Sequence, residues 1–184
     1  MLTFEEAYLF TSRFSSSAAF EEPEARLYFH ILSSLPPGSR VIEVGLQWGR
    51  SSSIALQVTR EHGLSYAGVD PFNEADGQEA FDAWAKMADE SGALYAIHRI
   101  ISDAFTVTPP IDAILIDGDH EEDQVYRDCD HFLPHVSVGG YAMFHDYGRE
   151  SLPGVWAAVN RYMLAHQEWE YICTEGTLGV WRKR

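Results

Sequence analysis

Cysteine is scarce in this chain, with Cys129 and Cys173 the two present. Their separation fits no metal-ligand spacing, so they read as buried free thiols in a reducing compartment, not as a disulfide frame or zinc site. Basic residues are scarce too: 13 Lys and Arg stand against 28 Asp and Glu, for a formal net charge of −15. Nucleic-acid affinity rests on neutralising phosphates with Lys and Arg, so no nucleic-acid partner is expected. The acid is scattered along the chain and reads largely as solvated surface. No apolar run reaches the ~18–20 residues of a membrane span. Residues 1–6 have neither the basic stretch nor the apolar core of an export signal. The expectation is a cytoplasmic protein with no membrane partner.

What is present suits one globular unit. Hydrophobic residues make up 46% of 184 residues, enough for a single core, and one domain over 1–184 is expected. Its first part, 1–37, shows helical patterns broken near Pro23 and closed off by Pro36-Pro37-Gly38, with the short run Ser15-Ser16-Ser17 between them. From residue 38 strands and helices alternate. Ser39–Val44, Ser65–Asp70, Leu94–Ile101, Ile111–Asp117 and Tyr141–Phe144 read as strands. Helices follow at Ser51–His62, at Glu79–Ser91, after the acidic turn Glu121-Glu122-Asp123, and after Ser151 with Pro153, which read as its cap. Trp169–Cys173 and Leu178–Trp181 flank a turn at Glu175-Gly176 and read as a hairpin. Continuous apolar strands between helices imply an α/β fold, a doubly wound and mostly parallel Rossmann-like sheet with helices on both faces. Ligands of such sheets lie beyond the carboxyl ends of the strands.

The first strand-to-helix turn, Glu43-Val44-Gly45-Leu46-Gln47-Trp48-Gly49, lacks the third glycine of a dinucleotide turn. That absence, with Glu43 at the strand end, disfavours a pyrophosphate and an NAD-type oxidoreductase. A carboxylate there would instead attract the ammonium of an amino-acid-bearing ligand, and S-adenosylmethionine has that group and no phosphate. Asp70 lies where an acid accepts ribose hydroxyls, at the end of the second strand. Asp103, just after the third, could reach an adenine amino group.

Four stretches carry a family resemblance: Val41 to Ser52, Gly68-Val69-Asp70, Ile116-Asp117-Gly118-Asp119-His120, and Gly139-Gly140 through Phe144-His145-Asp146-Tyr147. Over about residues 38–182 the chain resembles class I S-adenosylmethionine-dependent methyltransferases, and within them the macrocin O-methyltransferase and cephalosporin hydroxylase-like families (methyltransferase domain 24). The resemblance implies a seven-stranded sheet with an antiparallel strand from the C-terminal hairpin. It also implies cofactor contacts from Glu43, Gly45, Gln47, Trp48, Gly49, Ser52, Asp70, Asp103 and Asp117. A metal set falls on Asp117, His145 and Asp146, and a catalytic base on Asp119 with His120 as the neighbour able to replace it.

These acids and imidazoles follow neighbouring strands and so share one rim, which suits O-methyl transfer. A divalent ion lowers the pKa of an acceptor hydroxyl, and a nearby Asp or His takes the proton. Imidazole is a poor magnesium ligand, so His145 implies a transition ion such as Mn²⁺ in place of Mg²⁺, or points elsewhere. Asp119 serves equally well as a helix cap. Tyr147 lines the acceptor pocket or simply packs. The expected partner is a small hydroxylated acceptor, against the alternative of a non-catalytic adenosyl-ligand binder. No long insertion supplies a lid, so a homo-oligomer is expected, and light scattering at working concentration should give more than the monomer mass.

Overall fold

The computed structural model describes residues 2–13 and 20–184. The Ser15–Ser17 run lies outside them. Two helices come first, α1 (Phe4–Thr11) and α2 (Glu22–Ser33). The break between them ends near Pro23, which sits in the first turn of α2, where a missing N–H costs nothing. The core then runs β1 (Arg40–Val44), α3 (Arg50–His62), β2 (Ser65–Val69), α4 (Gly77–Ser91), β3 (Tyr95–His98), β4 (Ile111–Ile116), α5 (Glu122–Phe132) and β5 (Val136–Phe144). α6 (Pro153–Ala165) and the hairpin β6 (Trp169–Glu175) and β7 (Leu178–Lys183) complete it.

The seven strands lie in the order β3-β2-β1-β4-β5-β7-β6. β1 to β5 pair in parallel, and β7 inserts antiparallel between β5 and β6. One face packs against α1 to α4 around Tyr28, Leu56, Trp84 and Met87, the other against α5 and α6 around Phe132, Phe144, Val159 and Tyr162. The central strands are therefore buried on both sides, which is why they read as continuous apolar runs. Two local expectations change. Gly139-Gly140 lies within β5, whose pairing with β4 is irregular there. Leu152, not Ser151, precedes the first residue of α6, and no side chain caps it.

The sheet reverses its strand order between β1 and β4, and residues just past the strand ends continue the ladder there. Gly45 donates its N–H to Val69 O, Asp117 to Val44 O, and His145 to Ile116 O, at 2.9, 2.8 and 3.2 Å. The turn after β1 thereby lies on the chain leaving β4. Gly45 has φ +85°, and a β-carbon on it would stand 2.0 Å from the Asp117 carbonyl oxygen. No other residue fits without moving β4. Gly45→Ala is expected to cost about 3 kcal/mol or more, from backbone strain and overpacking together, read as a drop in denaturant midpoint.

Candidate functional site

A cleft of about 770 Å³ opens over the carboxyl ends of β1, β2, β4 and β5. Gly45, Gln47, Trp48, Gly49, Asp70, Asp103 and Asp117 line it, as do Asp119, His120, His145 and Asp146. Among the described residues four non-glycine residues have positive φ: Phe20, Gln47, Phe72 and Asp146. All four line this cleft. Such backbone costs on the order of 1–3 kcal/mol per residue, and it is retained here where the chain is shaped around a concavity.

At one end, Asp70 braces the glycine turn. Its Oδ2 accepts the N–H groups of Leu46 and Gln47 at 2.7 and 3.0 Å, and Oδ1 accepts that of Phe72 at 2.6 Å. A carboxylate has about four acceptor positions, so Oδ1 keeps capacity for a ligand hydroxyl. Asp103, half-exposed in a short 3₁₀ turn, accepts from Gln124 Nε2 at 3.3 Å. Beneath the same wall Ser102 Oγ donates to the buried Asp128 at 2.5 Å.

Two residues expected to contact the cofactor do not line the cleft. Glu43 is fully buried and does not face the cleft. Its oxygens accept hydroxyls from Ser51 (2.5 Å), Ser52 (3.1 Å) and Tyr66 (2.6 Å). Ser52 is likewise fully buried, its hydroxyl turned down to Glu43. The pair ties α3 and β2 together beneath the turn. Burial pushes the Glu43 carboxyl up to about 7, against the opposing pull of its hydroxyl donors.

At the other end, acids and imidazoles interlock. His145 Nδ1 lies 2.9 Å from Asp117 Oδ1 and 3.5 Å from Asp146 Oδ2, and Nε2 lies 3.4 Å from Glu24 Oε2. Burial works against the charged imidazole, yet Asp117 and Glu24 outweigh it and raise His145 to about 10. Burial raises the Asp117 carboxyl despite His145 beside it. Asp146 is held down at about 2 because His120 and Arg149 outweigh its burial.

The ligand atoms of Asp117, His120 and Asp146 all lie within 4.8 Å of one another. His145, the expected metal ligand, is not in this group, because its ring nitrogens face Glu24 and Asp117. His120 takes that place from an adjacent loop. Its Nε2 is buried, lies 3.0 Å from Asp146 Oδ2, and makes no hydrogen bond of good geometry. Two carboxylates and an imidazole suit a divalent ion, and the imidazole favours a transition metal.

Asp119 Oδ1 accepts the Glu121 N–H at 2.7 Å ahead of α5, so one oxygen does turn-capping work while the other stays free. Tyr147 does not line the cleft; it packs on Trp181 and shares a hydrogen bond with Asn160. His131 Nε2 and His166 Nδ1 donate locally to Phe105 O and Tyr162 O, away from the site. Sequence reasoning missed Glu24. In the sequence it is one acid of the acidic start of α2, and its local signal is that of a helix cap; its Oε2 accepts the Glu21 N–H at 2.6 Å.

A family model described as a methyltransferase domain matches residues 42–147, more than half the chain. The chain belongs to that family. It is 28% identical to the uncharacterized protein R132 of Acanthamoeba polyphaga mimivirus, over 79% of this chain and 71% of that protein. Among solved structures, the O-methyltransferase NovP superposes with TM-score 0.69 at 18% identity, covering 86% of this chain and 78% of NovP. The O-methyltransferase TomG from Streptomyces achromogenes, solved with SAM, gives 0.67 at 14% identity, over 98% of this chain and 88% of TomG. A putative rRNA methylase from Clostridium thermocellum gives 0.70 at 12%, over 89% and 98%. The fold is that of SAM-dependent methyltransferases. No helix among the described residues is long and apolar enough to cross a membrane.

Glu43 carries the opposite pH signature to Asp146 and Glu24. The folded Glu43 value lies above its ordinary 4.5, so its contribution is present at low pH and lost as pH rises from about 4.5 through about 7. Asp146 and Glu24 are held at about 2, so theirs is present above their ordinary values and lost as pH falls toward 2. Glu43→Gln is expected to flatten the decline in unfolding free energy across the upper window by on the order of 2 kcal/mol, measured by denaturant titration at several pH values.

Proposed function

We propose that this protein is an S-adenosylmethionine-dependent O-methyltransferase acting on a small hydroxylated acceptor. One observation carries the reading: the glycine turn with Asp70 and the cluster Asp117, Asp119, His120 and Asp146 open into the same cleft. A cofactor held by the turn would present its methyl group toward groups able to activate a hydroxyl. A purely ligand-binding protein would have no use for the second cluster. The reading treats 1–184 as one domain, and the net charge of −15 favours a small acceptor over a nucleic acid.

Asp70 would take the ribose, Asp103 the adenine amino group, and the backbone of Gly45 to Gly49 with Gln47 and Trp48 the remainder of the cofactor. Asp117, His120 and Asp146 would hold a divalent cation such as Mn²⁺. When bound, that ion supplies Lewis acidity and a template for the acceptor oxygen. The free oxygen of Asp119, exposed at the cleft, would receive the hydroxyl proton. His145, whose pKa Asp117 and Glu24 raise to about 10 against burial, would stay charged and balance the negative rim.

Calorimetric titration with S-adenosylmethionine tests the cofactor. Asp70→Ala should weaken binding by about 10- to 100-fold, since charge-assisted hydrogen bonds and the brace on the turn are lost together. No heat from the unaltered protein at millimolar ligand would overturn the proposal. Asp119→Asn separates base from cap, because asparagine keeps an acceptor for the Glu121 N–H. It should leave melting temperature and cofactor affinity unchanged while S-adenosylhomocysteine release with a panel of hydroxylated acceptors falls about 100-fold or more. His120→Ala should lower Mn²⁺ affinity, read by electron paramagnetic resonance.

A further inference from the structure

Glu24 stands outside the family-matched segment, on the second helix of the N-terminal segment. It is nevertheless 3% exposed and joins three distant pieces of chain. Its Oε1 accepts both the N–H and the hydroxyl of Thr177, at 2.6 and 2.7 Å, in the turn between β6 and β7. Its Oε2 lies 3.4 Å from His145 Nε2, the far side of the ring whose Nδ1 meets Asp117. The fit around it is close: a β-carbon on Gly176 would stand 2.7 Å from Glu24 Oε1. Phe20 lies against the same imidazole, ring centroids 5.3 Å apart.

From this geometry we infer that Glu24 is a positioning residue for the acid–imidazole rim: docked between the β6–β7 turn and His145, it orients the imidazole that holds Asp117. The inference takes the rim read above as the reaction centre. A carboxylate used only to cap α2 needs one oxygen on the Glu21 N–H, and a solvent-facing glutamate supplies that. Here the side chain is buried, with both oxygens engaged by groups on other elements. Burial of a charge is tolerated when it is paired and hydrogen-bonded, and removing one partner strands the other. Without Glu24, the Nε2 edge of His145 faces no acceptor among the described residues. The ring is then free to rotate, and the Asp117 oxygen loses its fixed partner. α2 thus holds the imidazole through Glu24 while the hairpin holds Glu24 through Thr177, and the rim takes its geometry only when both are docked.

The test reads the ring itself. In ¹H–¹⁵N spectra optimised for histidine, with His145→Gln supplying the assignment, the unaltered protein should show a His145 Nε2–H signal protected from exchange with water. Glu24→Gln should lose that signal and shift the Nδ1 resonance, a change that a cap-only role would not produce even if it lowered the melting temperature. Thr177→Val removes one donor that aims the carboxylate and keeps its charge; it should give a smaller shift in the same direction. If Glu24→Gln does not fold, the Thr177→Val spectrum decides. A His145 pattern identical to the unaltered protein in the folded variant overturns the inference. Titration with S-adenosylmethionine on the same samples keeps the two readings apart. Glu24→Gln should bind it with unchanged affinity, and a marked loss of affinity would show a general collapse of the site and overturn the positioning role. An unaltered protein that binds none would overturn the methyltransferase reading, and the His145 spectra would still judge Glu24.

Discussion

The contact between Gly45 and the Asp117 backbone is the constraint on which the cleft depends. β1 and β4 are adjacent parallel strands, and the chain leaves both at the same edge. Whatever follows β1 must pass over whatever follows β4. With no side chain at Gly45 the two peptides meet directly, so the glycine turn and the acid-rich loop share one wall. Gly49 relaxes the other end of the turn, at φ +75°, where a β-carbon would press on Trp84 and Met87. The turn is held from beneath by Glu43 through three hydroxyls and from the side by Asp70 through backbone N–H groups. Two acids that look like ligand contacts in sequence thus spend much of their hydrogen-bonding capacity on the protein.

The rim opposite is an electrostatic balance. Glu24, Asp117 and Asp146 meet His120, His145 and Arg149, and every acid of the group has a cationic partner. Buried carboxylates are costly alone and tolerable when paired, so the imidazoles offset the cost of gathering these acids at one edge. The same pairing sorts the two histidines. His145 has both nitrogens engaged and sits 5% exposed, while His120 is partly open and its buried Nε2 is poorly satisfied. The more accessible ring is thus the one whose nitrogen is not held by a hydrogen bond of good geometry.

Much of the framework was legible before any coordinates. Continuous apolar runs marked the central strands because both faces of the sheet are covered. Gly63, at φ +66°, ends α3 where the pattern placed it, since few other residues adopt a left-handed cap. The register of glycines at 45 and 49, with Asp70 one strand later, pointed to the cleft and its lining. Legibility failed where a residue's role depends on direction. Strand side chains alternate between faces, and Glu43, one residue inside β1, points below the turn while Val44 lines the cleft. His145 and Asp146 are neighbours in sequence, yet the left-handed backbone at Asp146, φ +56°, sends them to different partners.

The sequence by itself determined the order of strands and helices, the close approach at the first turn, and the collection of acids and imidazoles at one sheet edge. Those properties follow from local periodicity, from glycine's conformational freedom, and from the rule that parallel strands release their chain on a common side. Tertiary structure alone decided which of those groups face the cleft and which are consumed beneath it. It also brought Glu24 from α2 against His145, 121 residues away, and against Thr177 of the hairpin, 153 residues away. No periodicity spans such separations, because the contact is set by how helices and hairpin close over the sheet.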